Sequence, residues 1–213
     1  MADRYALVVD STNNNIKEIP AADRLVADNL LLSGTTPTLT IGDAGAEDTK
    51  IVFDGNAQDF YIGLDDSADD LVIGLGSAVG TTPAISIDEN QVAKFEAAIT
   101  EQATSLTSGT TVALDVRDGG VFEITLGHDI GTFNWSNHAL SGAVSSFIMK
   151  VVQDGTGNRT IAWPDGTNSV TVRWAGNTAP TLSTGAADID VFIFFTADGG
   201  TNYYGFTAGQ DMS

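Results

Sequence analysis

Two histidines, His128 and His138, are the imidazoles of a chain that contains no cysteine. With Asp129 and Ser136 close by, His128 supplies the residue types of a nucleophilic triad. No serine in the chain sits in the G-x-S-x-G turn that presents a strained nucleophile, so these residues read as loop polarity. A zinc centre needs three or four nitrogen or sulfur ligands, more than two histidines without cysteine provide. Asp65-Asp66-Ser67-Ala68-Asp69-Asp70 is the densest run of carboxylates and would suit a hard cation such as Ca²⁺. It lacks the alternating aspartates, the glycine and the distal glutamate of a calcium loop, and reads as a solvated turn. Gly74-Leu75-Gly76-Ser77-Ala78-Val79-Gly80 has the glycines of a phosphate cradle. Thr81-Thr82-Pro83 follows where a helix N-terminus would be needed, so it too reads as a turn. The spacing singles out no carboxylate pair for glycoside hydrolysis. The expectation is a protein without catalytic, metal or cofactor-binding residues: not an enzyme.

The aromatic side chains of the C-terminal half offer a different chemistry. Trp135, Trp163 and Trp174, with Tyr203 and Tyr204, could stack on sugar rings or fill a core, where a large ring buries about 150–250 Å². Trp135, Trp174 and Tyr203 are the candidate ligand-facing residues for a cell-surface glycan.

Composition limits the partners. In 213 residues there are 28 acidic against 9 basic side chains, a formal charge of -19. Such a surface repels phosphate backbones and anionic lipid heads, so nucleic acid is not an expected partner. No apolar run reaches the ~18 residues of a spanning helix and the start lacks a secretory layout, so a soluble cytosolic product without membrane insertion is expected. Hydrophobic residues make up 42% of the chain, enough for a core. Without cysteines, that core or subunit association must supply the stability.

The patterning is that of strands and turns. Tyr5, Leu7 and Val9 alternate before a turn at Ser11–Asn15 and then Ile16 and Ile19, which predicts a hairpin closed by Pro20. Ala21–Leu32 suggests a brief helix. Short alternations then recur at Leu39/Ile41, Ile51/Phe53, Phe60/Ile62/Leu64, Leu71/Ile73/Leu75 and Ile85/Ile87, each followed by Gly, Asp or Asn. Val92, Phe95, Ile99 and Leu106 change to helical spacing, with Asp88 and Gln91 as a capping box, though an extended linker fits equally. Beyond residue 111, strands are expected at Val112–Val116, Val121–Leu126, Gly131–Trp135, Val144–Val152, Thr160–Trp163, Val170–Trp174, Ile189–Phe195 and Tyr203–Thr207. The expected fold is all-β, with an N-terminal anchoring segment at 1–37, a short-strand region at 38–90, a helix or linker at 91–110 and a C-terminal β-sandwich or jelly roll at 111–213. Strands this short expose one apolar face and are marginal alone. Identical chains can share that face around an axis, which makes Ile51, Phe53, Phe60, Ile62, Leu64, Leu71 and Ile73 the candidate trimer interface.

Three stretches carry a family likeness. MADRYALVVD (Met1–Asp10) with Ile16-Lys17-Glu18-Ile19-Pro20 resembles the start of virion structural and tail-fibre-like proteins of marine tailed bacteriophages. DFYIGLDDSADDLVIGLGSAVGTTPAISIDEN (Asp59–Asn90) resembles a module within such proteins. DGTGNRTIAWPDG, VRWAGNTAPTLSTG and VFIFFTADGGTNYYGF are similar to a C-terminal β domain of phage appendage proteins. The resemblance implies a virion component assembled in the host cytoplasm, a homotrimer bound to other capsid or tail proteins. Its N-terminus, with Tyr5, Leu7, Val9, Ile16 and Ile19, would be the anchor and its C-terminus would face outward. The chain is short for a fibre with a long shaft, which favours a short fibre or a head or tail decoration. A glycan-binding module of a tail appendage is the alternative.

Overall fold

The computed structural model describes residues 7–10, 15–18, 29–167 and 169–212. The chain divides into two compact units, Met1–Ala97 and Ala98–Ser213. Both are built of β-strands, as expected, and no α-helix occurs among the described residues.

In the first unit, β1 (Leu7–Asp10) pairs antiparallel with β2 (Asn15–Glu18), setting Val9 opposite Ile16. Tyr5, Ile19 and residues 21–28 of the expected helix lie outside the described residues, and residues 29–48, including Leu39 and Ile41, form no regular element. Next comes an antiparallel meander of β3 (Thr49–Phe53), β4 (Phe60–Asp65), β5 (Asp70–Leu75), β6 (Pro83–Ile87) and β7 (Ala93–Phe95), each strand paired with the next. Carboxylates close its turns. Asp59 accepts the Gly55 amide at 3.1 Å, and Asp65 accepts the Ser67 amide at 3.1 Å and its hydroxyl at 2.7 Å. Of the helix or extended linker expected after Asp88, the helix is not there. Asp88 does accept two backbone amides, from Asn90 and Val92, both at 2.9 Å. Gln91 takes a left-handed φ of 66°, however, which turns the chain back into β7 rather than onward into a helix.

The second unit is a two-layer structure. One layer is a six-stranded sheet in the order β13 (Thr171–Arg173), β15 (Asn202–Gly209), β14 (Ile189–Thr196), β12 (Ser145–Gln153), β10 (Val121–Leu126), β8 (Thr104–Ser105). The other layer is the pair β9 (Thr111–Asp115) and β11 (Thr132–Ser136). From β8 to β12 the chain alternates between the layers, so strands adjacent within a layer run parallel: β8 with β10, β10 with β12, and β9 with β11. That pairing is not the antiparallel order of a jelly roll. Thr160–Trp163, expected as a strand, makes a single bridge from Ile161 to Ile130. Val112, Leu114, Phe133 and Trp135 from the small layer close over Phe122, Ile124, Phe147, Met149, Phe192, Phe194 and Tyr203 from the large one. β14 is central in its sheet, but only the face bearing Phe192 and Phe194 is covered. Ile193, on the other face, is 40% exposed.

Candidate interaction surface

Strand alternation gives the meander two unlike faces. On one, small residues let the unit cover itself. Tyr61 lies fully buried over Gly74, where an added Cβ would fall 2.6 Å from the phenol oxygen. The loop between β5 and β6 folds back on this side, and its Gly80 amide donates to Tyr61 Oη at 3.1 Å. Ser86 and Glu96 are joined at 3.1 Å, and Glu96 pairs with Lys94 at 2.7 Å. The Lys94 ammonium, hydrogen-bonded to Glu96, holds that carboxyl below its ordinary range.

The opposite face carries the large side chains, and no described residue of the first unit covers it. Register aligns them in rows that cross the strands: Ile51, Ile62, Ile73, Ile85 and Phe95 stand directly opposite one another from β3 to β7. Phe53, Phe60 and Leu75 form a row to one side, and Leu64, Leu71 and Ile87 a row to the other. Ile62 is 39% exposed, Ile73 40%, Leu71 46% and Phe60 50%. No charged residue interrupts the three rows. Side chains of this size at about half exposure leave several hundred square ångströms of contiguous apolar surface, beyond what a lone soluble domain usually shows and near the ~800 Å² that each partner of a stable complex covers. The seven residues expected at a trimer interface all belong to this face.

A narrower apolar row occurs on the outer face of the six-stranded sheet. Val121, Ile148, Ile193 and Phe206 are cross-strand neighbours, and Phe195 stacks on Tyr204 and Phe206 with ring centroids 5.2 and 6.0 Å apart. Lys150 and Glu123 make an ion pair at 3.6 Å on the same sheet.

Of the three residues expected to face a ligand, two lie in the core. Trp135 is 5% exposed and Tyr203 fully buried, wedged edge-on against each other with ring centroids 5.1 Å apart, and neither can stack on a sugar. Burial, the first cause, pushes the Tyr203 phenol up to about 12. Trp174 is half-buried, edge-on to Trp163 and Phe192, and borders an open cleft of about 610 Å³ with Arg173 and Asn177. The indole Nε1 atoms of Trp135 and Trp174 are buried without a hydrogen-bond partner among the described residues.

Two of the triad residue types, Asp129 and Ser136, have hydrogen-bond partners outside the triad. His138 Nδ1 lies 2.9 Å from Tyr203 Oη, and burial lowers its pKa. Asp129 accepts the Thr160 amide at 2.9 Å, and Ser136 reaches the Leu114 carbonyl at 3.4 Å. Leu7, Val9 and Ile16 of the expected anchor lie on the β1–β2 hairpin, while Tyr5 and Ile19 are outside the described residues. Among the described residues, no helix is long and apolar enough to cross a membrane. No family model, curated protein or solved structure matches the chain.

Proposed function

We propose that the chain is a non-catalytic structural component of a tailed-phage particle, a short trimeric fibre or a decoration of the head or tail. The observation that carries this reading is the uncharged three-row face of the meander. An apolar surface of that extent costs about 25 cal/mol for each Å² left in water, and identical copies that share it remove the cost with one gene product. The family likeness of the N-terminal, central and C-terminal stretches supplies the particle. In this reading the β1–β2 hairpin docks on neighbouring virion proteins and the second unit is displayed. The acidic surface keeps densely arrayed copies apart.

The test is the solution mass of the purified chain and of Ile62→Asp/Ile73→Asp, which sets charge into the face. The wild type should assemble at micromolar concentration and the variant should be monomeric. All three tryptophans lie in the second unit, so unchanged tryptophan emission shows that unit still folded. A monomeric wild type, or a variant that assembles as before, defeats the reading. Tracing the chain in images of intact particles tests its address.

A further inference from the structure

We infer that the second unit carries a docking site for a proline-rich, basic segment of a partner protein, built on residues 162–165 and the indoles of Trp163 and Trp174. The inference is separate from the shared face of the meander and goes beyond the assembly proposed above.

The site grows out of the core. Phe192 packs against both Trp163 and Trp174, which are half-buried and so bring the aromatic cluster to the surface. Gly205 of β15 lets the Trp174 ring down onto the sheet, since an added Cβ would fall 2.7 Å from it. The two indoles meet at 64° with ring centroids 5.4 Å apart. They form a corner rather than the flat platform on which a sugar ring stacks. Aromatic corners of this kind take the compact pyrrolidine ring of proline.

Residues 162–165 form a ridge shared by two hollows. One is the cleft of about 610 Å³, which continues past Trp163 to Trp174 and Asn177. The other, of about 140 Å³, continues past Trp163 to Phe133 and Thr132. A polyproline II segment has three residues per turn, so rings three positions apart project on the same side and can enter neighbouring hollows. Such a segment is extended before it binds and loses little entropy on docking.

The polar groups suit the same ligand. Proline has no N–H, so a proline-rich segment presents carbonyls and needs donors. Arg173 donates its Nε proton to Asn202 at 2.8 Å, and Asn202 is held by Asp198 at 2.8 Å. Among the described residues no acceptor takes the terminal guanidinium nitrogens. Asn177 reaches the same cleft on a turn in which it and Gly176 are both left-handed. Asp165 lines both hollows, and its carboxylate accepts only the amide and hydroxyl of Thr167, with no cation beside it. It is placed to pair with a basic residue of the segment, and the formal charge of -19 draws such a segment in.

The experiment titrates the full chain with a synthetic decaproline carrying an arginine at each end and follows tryptophan emission. Saturable binding is expected, weaker in high salt, and a peptide of the same length and charge with glycine and serine in place of proline should not bind. Asp165→Asn, which keeps the oxygen that holds Thr167, should weaken the proline peptide by up to about fivefold and remove most of its salt response. Arg173→Met should weaken it by about tenfold. Both side chains are exposed, and unchanged melting temperatures show that the variants fold. No saturable binding at millimolar peptide overturns the inference. So does equal binding of the glycine–serine peptide, or a proline peptide that wild type and both variants bind alike. Maltotriose that changes the emission where the proline peptide does not assigns the cleft to sugar and overturns it as well. None of these outcomes alters the mass of the assembly, so the two readings stand or fall separately.

Discussion

Asp198 shows how much local order one carboxylate can impose. It accepts the Asn202 amide at 3.0 Å, the Asn202 side-chain nitrogen at 2.8 Å and the Thr196 hydroxyl at 2.9 Å, and so fixes the turn from β14 into β15. These donors, the Asn202 amide first, favour the charged form and lower its pKa from 3.8 to about 2. A depressed carboxyl stabilises the fold above its unfolded value, and that stability is lost as pH falls from about 4 toward 2. Asp198→Asn should therefore be less stable than wild type at pH 7, with the deficit closing across that window, as read by urea denaturation followed by tryptophan emission. A deficit unchanged at pH 2 would show that the charge contributes nothing. His138 acts in the same direction at higher pH. Burial lowers its pKa, so the fold prefers the neutral ring and loses stability as pH drops below 6.5. At this scale the sequence showed only half of what mattered. Alternation sorted Trp135 and Tyr203 onto one side of their strands, but it does not say whether that side meets solvent or core. The packing of the small layer, which carries Trp135 on β11, against the large sheet, which carries Tyr203 on β15, decides the matter.

Elements were more legible than residues where neighbours in sequence are neighbours in space. β4, β5 and β6 were readable from alternation and turn residues because a meander pairs each strand with the next. β7 was missed: the 3/4 spacing of Val92, Phe95, Ile99 and Leu106 imitates a helix, and only the left-handed backbone at Gln91 reveals a hairpin. In the second unit the strand limits were visible, but the parallel pairing was not, because β10 finds β12 only after the chain has crossed to the other layer and back. Gly74 reads as turn material at the head of the glycine-rich run 74–80, yet it lies inside β5, as Gly63 lies inside β4. They make room on the self-covered face, Gly74 for the Tyr61 ring and Gly63 for Val79. An added methyl at Gly74 would also meet the Thr82 carbonyl oxygen at 2.6 Å. Gly74→Ala should cost about 1–3 kcal/mol of overpacking, seen as a lower melting point of the first unit while the tryptophan signal of the second stays unchanged. No loss would mean that Tyr61 is free to move aside.

For the whole molecule, attraction through an uncharged face is opposed by a formal charge of -19 on every copy. The acidic residues of the meander cluster in its turns, Asp54 and Asp59 at one end of the strands and Asp65–Asp70 at the other. Where copies share the apolar face, as proposed, the turns of one copy approach those of another, so like charges face one another at the strand ends. Repulsion between exposed charges has a range of about 10 Å at 0.1 M salt and about 3 Å at 1 M. Raising NaCl from low to near-molar concentration should therefore strengthen assembly, measured as a fall in the concentration at which half the chains dissociate. Salt can also strengthen apolar association by exclusion from the protein surface, so wild type alone does not separate the two causes. Asp65→Asn/Asp66→Asn/Asp69→Asn/Asp70→Asn does. If repulsion between turns opposes association, this variant assembles more tightly than wild type in low salt and loses most of the salt response. If apolar association alone is responding, the two proteins follow parallel curves, and the Asp65–Asp70 turns of different copies do not come close.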